Sequence, residues 1–280
     1  ALVALAYLAV RGRLAVAAAV LLGGLLAFAA AISASRSVWV YLAALLLLAF
    51  VLYQLEPRPE HRRLTIICAA LLPAFGLMNA VAALPWLAPP ETELATSLDR
   101  LFASAGGASV RLSLWRAAWG MFTGAPVIGL GFGQFAWHNF DYQAMNDTPV
   151  EVGLMNHAHN LPLHLMAEAG MIGAALVAGA TGLWAAGLRR ARLDPELWWL
   201  LAVLCVIGLH SMLEYPLWHT FFLGMAAVAL GFTTTSAVRV GLRRIGAPLV
   251  GLLLAAGMVH ALLLLPEFRS FERLVFAVYP

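Results

Sequence analysis

Residues 38–55 read VWVYLAALLLLAFVLYQL, eighteen positions without a formal charge, a proline or a glycine. A hydrocarbon core of ~30 Å needs about 20 mostly apolar helical residues, so this stretch, bounded by Arg36 and Glu56, predicts a membrane-crossing helix. The whole chain agrees: of its 280 residues 62% are hydrophobic and 11% charged, whereas soluble domains sit nearer ~45–50% and ~25%. A water-soluble domain is excluded. Further spans are predicted over 14–33 and 64–84, and beyond them over 160–187, 197–213, 219–236 and 247–265. The runs 197–213 and 219–236 meet at Glu214-Tyr215-Pro216, which reads as a helical hairpin with a tight turn. Residues 1–10 read as half a span. Their apolar stretch precedes its charge, the reverse of a secretory signal, so the expectation is an N-terminally truncated fragment.

The expected fold class is an all-α, polytopic transmembrane helical bundle. Its parts are N-terminal membrane helices over 1–84, a long extracytoplasmic loop with an interfacial helix over 85–158, C-terminal membrane helices over 159–265 and a tail over 266–280.

All seventeen basic residues are arginines, against fourteen carboxylates. Eleven of them fall in 11–13, 56–63, 188–196 and 237–246, connections that alternate with the others. Short cytoplasmic loops collect positive charge, which assigns these four to the cytoplasm and 34–37, 85–158, 214–218 and the tail to the other side. No basic stretch is interleaved with exposed aromatics, so nucleic acid is not an expected partner. Cys68 and Cys205 lie in apolar runs and read as small core residues without a disulfide.

Six arginines remain, and three carry the argument. Arg36, between two spans at the outer boundary, is either a snorkelling side chain or a fork for a phosphate. Arg111 and Arg116 lie in a helix over Val110 to Phe122, beside a stripe of Leu112, Trp115, Trp119 and Phe122. Such a helix lies in the headgroup plane or packs as an ordinary amphipathic helix. Then come Gly129, Gly131 and Gly133. No strand precedes them, so a dinucleotide fingerprint is not supported. Their N–H groups form an anion-binding concavity, or the segment is a flexible turn.

Asn156-His157-Ala158-His159-Asn160 opens the span at 160–187. His159 sits where a helix N-terminus disfavours imidazolium, which suits a general base. A metal pair with His157 and a structural histidine pair are the competing readings. Without a Cys or an acidic third ligand at fixed spacing, no metal is assigned. Asn160, His164 and Glu168 follow at helical spacing as one polar stripe. The turn from His210 to His219 returns to the same surface, with Glu214 and His210 in need of partners and Tyr215 and Trp218 reading as interfacial anchors.

Taken together, Ser35-Arg36, Arg111 to Trp115, Pro126 to Phe135, and His159-Asn160 through Glu168-Ala169-Gly170 resemble the O-antigen ligase superfamily. The turn His210-Ser211 to Glu214-Tyr215-Pro216-Leu217-Trp218 resembles its branch of bacterial protein O-oligosaccharyltransferases, which glycosylate pilins. The resemblance implies a multi-pass enzyme of the bacterial inner membrane that moves a glycan from undecaprenyl diphosphate to an acceptor hydroxyl on the periplasmic face, without a cofactor. The acceptor would be a pilin-like protein or lipid A-core. Arg36 and Arg111 match the family arginines that hold the diphosphate, and His159 the histidine that acts on the acceptor. Arg116, Gly131, His157, Asn160, Glu168 and Glu214 join them as expected substrate-binding residues. The rival readings are a polysaccharide polymerase and, from another class, a flippase for the same lipid-linked glycan.

Overall fold

The structure is a computed structural model and describes residues 1–33, 35–84, 106–145, 155–234 and 246–278. Every element among them is helical. The chain divides into two units, Ala1–Thr235 and Ser236–Pro280. The first contains α1 (Leu2–Val10), α2 (Val16–Ile32), α3 (Ser37–Leu55), α4 (Pro59–Ala82), α5 (Gly106–Gly124), α6 (Phe135–Met145), α7 (Leu161–Gly187), α8 (Pro195–Ser211) and α9 (Thr220–Thr233), with short 3₁₀ turns at Leu188–Arg190 and Pro216–Trp218. The second contains α10 (Gly246–Val278), which runs on through Pro266 instead of ending at the expected start of the tail.

Local sequence explains where the helices begin. Asn160 caps α7 by accepting the N–H of Leu163 at 3.1 Å, and Asp194 caps α8 by accepting that of Leu197 at 2.8 Å. Pro59, Pro162 and Pro195 occupy first-turn positions, where a missing N–H costs nothing. Asp194 and Pro195 set the start of α8 two residues before the predicted span. The turn toward α9 is correspondingly wider than a tight hairpin.

Two cores form in the first unit. α3 contributes Leu42, Leu45, Ala49 and Leu52, and α4 contributes Leu64, Cys68, Leu71 and Phe75; with Trp198 and Ala202 of α8 they make the larger core. Cys68 is a buried core residue and Cys205 is half-buried, both free. The smaller core joins Leu114, Ala117, Ala118 and Met121 of α5 to Phe135, Ala158 and Ala167. Two alanines at the α5 contact let its backbone approach α7 closely. The aromatic stripe faces elsewhere: Leu112 and Trp119 are exposed, so α5 packs through a face that its aromatic spacing did not indicate.

Long apolar faces stay open around both cores. Among the described residues four helices have the length and composition to cross a membrane, Ser37–Leu55, Pro59–Ala82, Leu161–Arg190 and Pro248–Pro266, and three shorter apolar ones accompany them. The chain is a multi-pass membrane protein. Its charges sort by end. Arg11 pairs with Glu196 at 2.6 Å, joining two arginine-bearing turns, whereas Glu214 lies beyond the other end of α8, about 24 Å away along a helix of this length.

Candidate active site

The site rests on a break in α7. Gly170 leaves the helix with φ 62° and ψ −163°, which frees carbonyls before it and N–H groups after it. In a bilayer such groups need partners inside the protein. The glycine-rich segment supplies them: Leu130 and Gly131 donate to the Ala167 and Glu168 carbonyls, both at 2.9 Å, and Met171 and Ile172 donate to the carbonyls of Pro126 and Val127 at 2.8 and 3.2 Å. The Glu168 carboxylate completes the latch by accepting the N–H of Gly133 at 2.9 Å and of Phe135 at 3.0 Å.

These contacts give the glycines and Glu168 a structural use. The N–H groups of Gly129, Gly131 and Gly133 are spent on Ala125, the Glu168 carbonyl and the Glu168 carboxylate, so they form neither an anion cradle nor a free turn. Glu168, buried against that segment, braces the loop and also lies 3.5 Å from His164 Nε2. A broken helix is also a transporter feature. Here the break is filled by the chain's own loop.

Above the latch, one carboxylate joins three elements. Glu214, in the turn after α8, accepts from Arg111 Nη2 of α5 at 2.6 Å and lies 2.9 Å from Nδ1 of His159, which precedes α7. Asn160 Nδ2 reaches the Met212 carbonyl at 3.5 Å, tying the same segments. Among the described residues His159 is the one non-glycine with positive φ, at 50°. That conformation costs on the order of 1 kcal/mol and marks functional sites when its surroundings enforce it. Its side chain is 17% exposed, open enough to meet a ligand.

His157 differs. It is buried, stacked on Tyr215 at 4.2 Å with the rings 4° from parallel, and met edge-on by Trp218 at 4.9 Å. Burial, then the neighbouring His164 and His159, push its pKa down to about 4, so it is neutral near pH 7. It offers no positive charge to a phosphate there. Tyr215 and Trp218 likewise wall the site. The cavity lined by His157, His159, His164, Glu214, Tyr215 and Trp218 has about 10 Å³, room for roughly one water. Any ligand larger than a water molecule is therefore met at its rim.

The two other arginines expected at the site lie at the start of α3 and on α5. Arg36 is half-buried at the start of α3, the helix whose Tyr41 hydroxyl meets His210 Nδ1 at 2.5 Å. That contact brings α3 to the Glu214 turn. Tyr41 was missed by the sequence reading, and its signal was a phenol inside an otherwise apolar run. Arg116 is exposed five residues beyond Arg111, in an open hollow of about 520 Å³ with Trp115, Trp119 and Tyr142. Among the described residues no three His, Cys, Asp or Glu side chains gather as a metal ion would require.

Residues 18–178, more than half of the chain, match the family model of the O-antigen ligases. The chain belongs to the O-antigen ligase family. Residues 198–279 match a second family model, the C-terminal part of virulence-factor membrane-bound polymerases. No curated protein and no solved structure matches it. In this O-antigen ligase family member, Arg111 and His159 come from the first matched segment and Glu214 from the second. It is a membrane enzyme of the ligase or polymerase type.

Proposed function

We propose that this enzyme transfers a glycan from a polyprenyl diphosphate to an acceptor hydroxyl, with His159 as general base and Arg111 and Arg36 holding the diphosphate, on the periplasmic face of a bacterial inner membrane. The observation that carries the reading is that Arg111 of α5 and His159, just before α7, meet through Glu214 at the end of the bundle away from the Arg11–Glu196 pair. In the reaction the acceptor oxygen bonds to the anomeric carbon, the bond from that carbon to the diphosphate oxygen breaks, and the hydroxyl proton passes to His159. The leaving group is already good, so the protein chiefly stabilises the charge growing on it. Fixed guanidinium groups in a partly dehydrated site do that, and a placed base contributes typically 10²–10⁴-fold.

The acceptor we favour is a pilin-like protein, on the character of the turn from His210 to Trp218. The match of residues 198–279 to the polymerases supports a second reading, in which the acceptor is the terminal sugar of another lipid-linked glycan. The test is to reconstitute the protein with undecaprenyl-diphosphate glycan and offer pilin, lipid A-core, or no acceptor but a second donor molecule. Glycosylated pilin supports the first reading and lengthened lipid-linked chains the second. Transfer to none of them contradicts both.

A further inference from the structure

We propose that Glu214 is the positioning residue of the site: its single carboxylate both aims the guanidinium of Arg111 and fixes His159 in the tautomer whose Nε2 accepts a proton. The proposal rests on the reading of His159 as base.

An ionised carboxylate only accepts hydrogen bonds, so the imidazole nitrogen 2.9 Å from Glu214 Oε2 must be the one that carries hydrogen. In a neutral ring the lone pair is then on Nε2, which no group among the described residues engages. The second oxygen, Oε1, takes Nη2 of Arg111 at 2.6 Å, leaving the rest of that fork for a ligand. The Tyr215 ring, its centroid 5.1 Å from that of the imidazole and its plane at 83° to it, packs against the imidazole and limits its rotation away from the carboxylate. A triad in which a carboxylate orients a histidine base has the same logic, but here the carboxylate also serves the cation expected to bind the leaving group. Arg111 lies on α5, His159 before α7 and Glu214 after α8, so one side chain fixes the distance between the leaving-group site and the base.

Glutamine at 214 separates this role from a merely structural tie. An amide has one accepting oxygen and one donating nitrogen. Turned with its oxygen toward Arg111, it sets N–H against His159 Nδ1 and drives the proton to Nε2, which removes the base. Turned the other way, it sets donor against donor at Arg111.

The experiment uses the full chain in proteoliposomes with undecaprenyl-diphosphate glycan, the wild type alongside Glu214→Gln, Glu214→Asp and His159→Asn, and ¹⁵N-labelled histidine to read the tautomer of His159. The expected result is hydrogen on Nδ1 in the wild type and a kcat lowered by 10² or more in Glu214→Gln. In that variant either the tautomer is inverted or KM for the donor is raised, while Glu214→Asp, which keeps the charge, recovers part of the rate. The wild-type measurement stands even if a variant folds poorly. Hydrogen on Nε2 in the wild type, or wild-type kcat and KM in Glu214→Gln, overturns the proposal while leaving His159 as base. Undiminished transfer by His159→Asn overturns the base assignment and this proposal with it.

Discussion

A β-carbon on Gly170 would lie 2.5 Å from the backbone nitrogen of Gly129. The two residues cross at the break in α7, both with positive φ, 62° and 71°, and a β-carbon on Gly129 would in turn overlap the Glu168 carbonyl group. Both strain and overlap oppose any side chain here. Gly170→Ala and Gly129→Ala are each expected to cost about 3 kcal/mol or more, seen as loss of the folded, monodisperse protein in detergent. Gly179→Ala, in a helix with nothing within 4 Å of the added carbon, should be neutral or slightly stabilising.

The Glu168 brace makes a second prediction. Glutamine there keeps one accepting oxygen for two N–H groups, those of Gly133 and Phe135. One is left without a partner, at a cost of about 1–3 kcal/mol. The thermal transition of Glu168→Gln in detergent should fall accordingly, and an unchanged transition would mean that the carboxylate does not brace the loop.

How much of this was legible beforehand differs by feature. Residues 38–55 and 160–187 declare their helices because length and apolarity alone suffice in a bilayer. The three glycines and Glu168 were visible as a pattern, but not their purpose. Their partners are backbone groups freed by a break in a segment that reads as one continuous span, and nothing in composition announces that break. His157 and His159 look alike in sequence. Only the stacking of Tyr215 and the reach of Glu214 separate the neutral, buried ring from the ring at the rim. Glu214 was visible as a charge in need of partners, while the identity of those partners depends on α5 and α7 meeting at its turn.

A third prediction concerns acid. His157 titrates near 6.5 when unfolded and about 4 in the fold, so between those values the unfolded chain binds the proton first. Stability from this residue is therefore complete above pH 6.5 and declines as pH falls toward 4, by at most about 3 kcal/mol. His157→Phe keeps a ring to stack on Tyr215 and removes the titration. Its thermal transition should fall less steeply than the wild type's between pH 7 and 4.5. Parallel curves would contradict the assignment.

The arginines make the fourth. Lysine keeps the charge but loses the planar fork. Arg111→Lys and Arg36→Lys should each lower kcat/KM for the lipid-linked donor by roughly tenfold or more. Arg11→Lys, at the far end beside Glu196, should leave it unchanged, since exposed pairs contribute about 0–1 kcal/mol to stability and nothing to the site. Equal activity of lysine and arginine at 111 would remove bidentate phosphate binding from the account.

The central claim is that His159 takes the acceptor proton. Its most direct test is glycan transfer by His159→Asn in proteoliposomes, with donor binding measured on the same preparation. Asparagine tolerates the left-handed backbone at this position and cannot act as the base. Retained donor binding with transfer lowered by 10²–10⁴-fold is the predicted result, and transfer at the wild-type rate would contradict it.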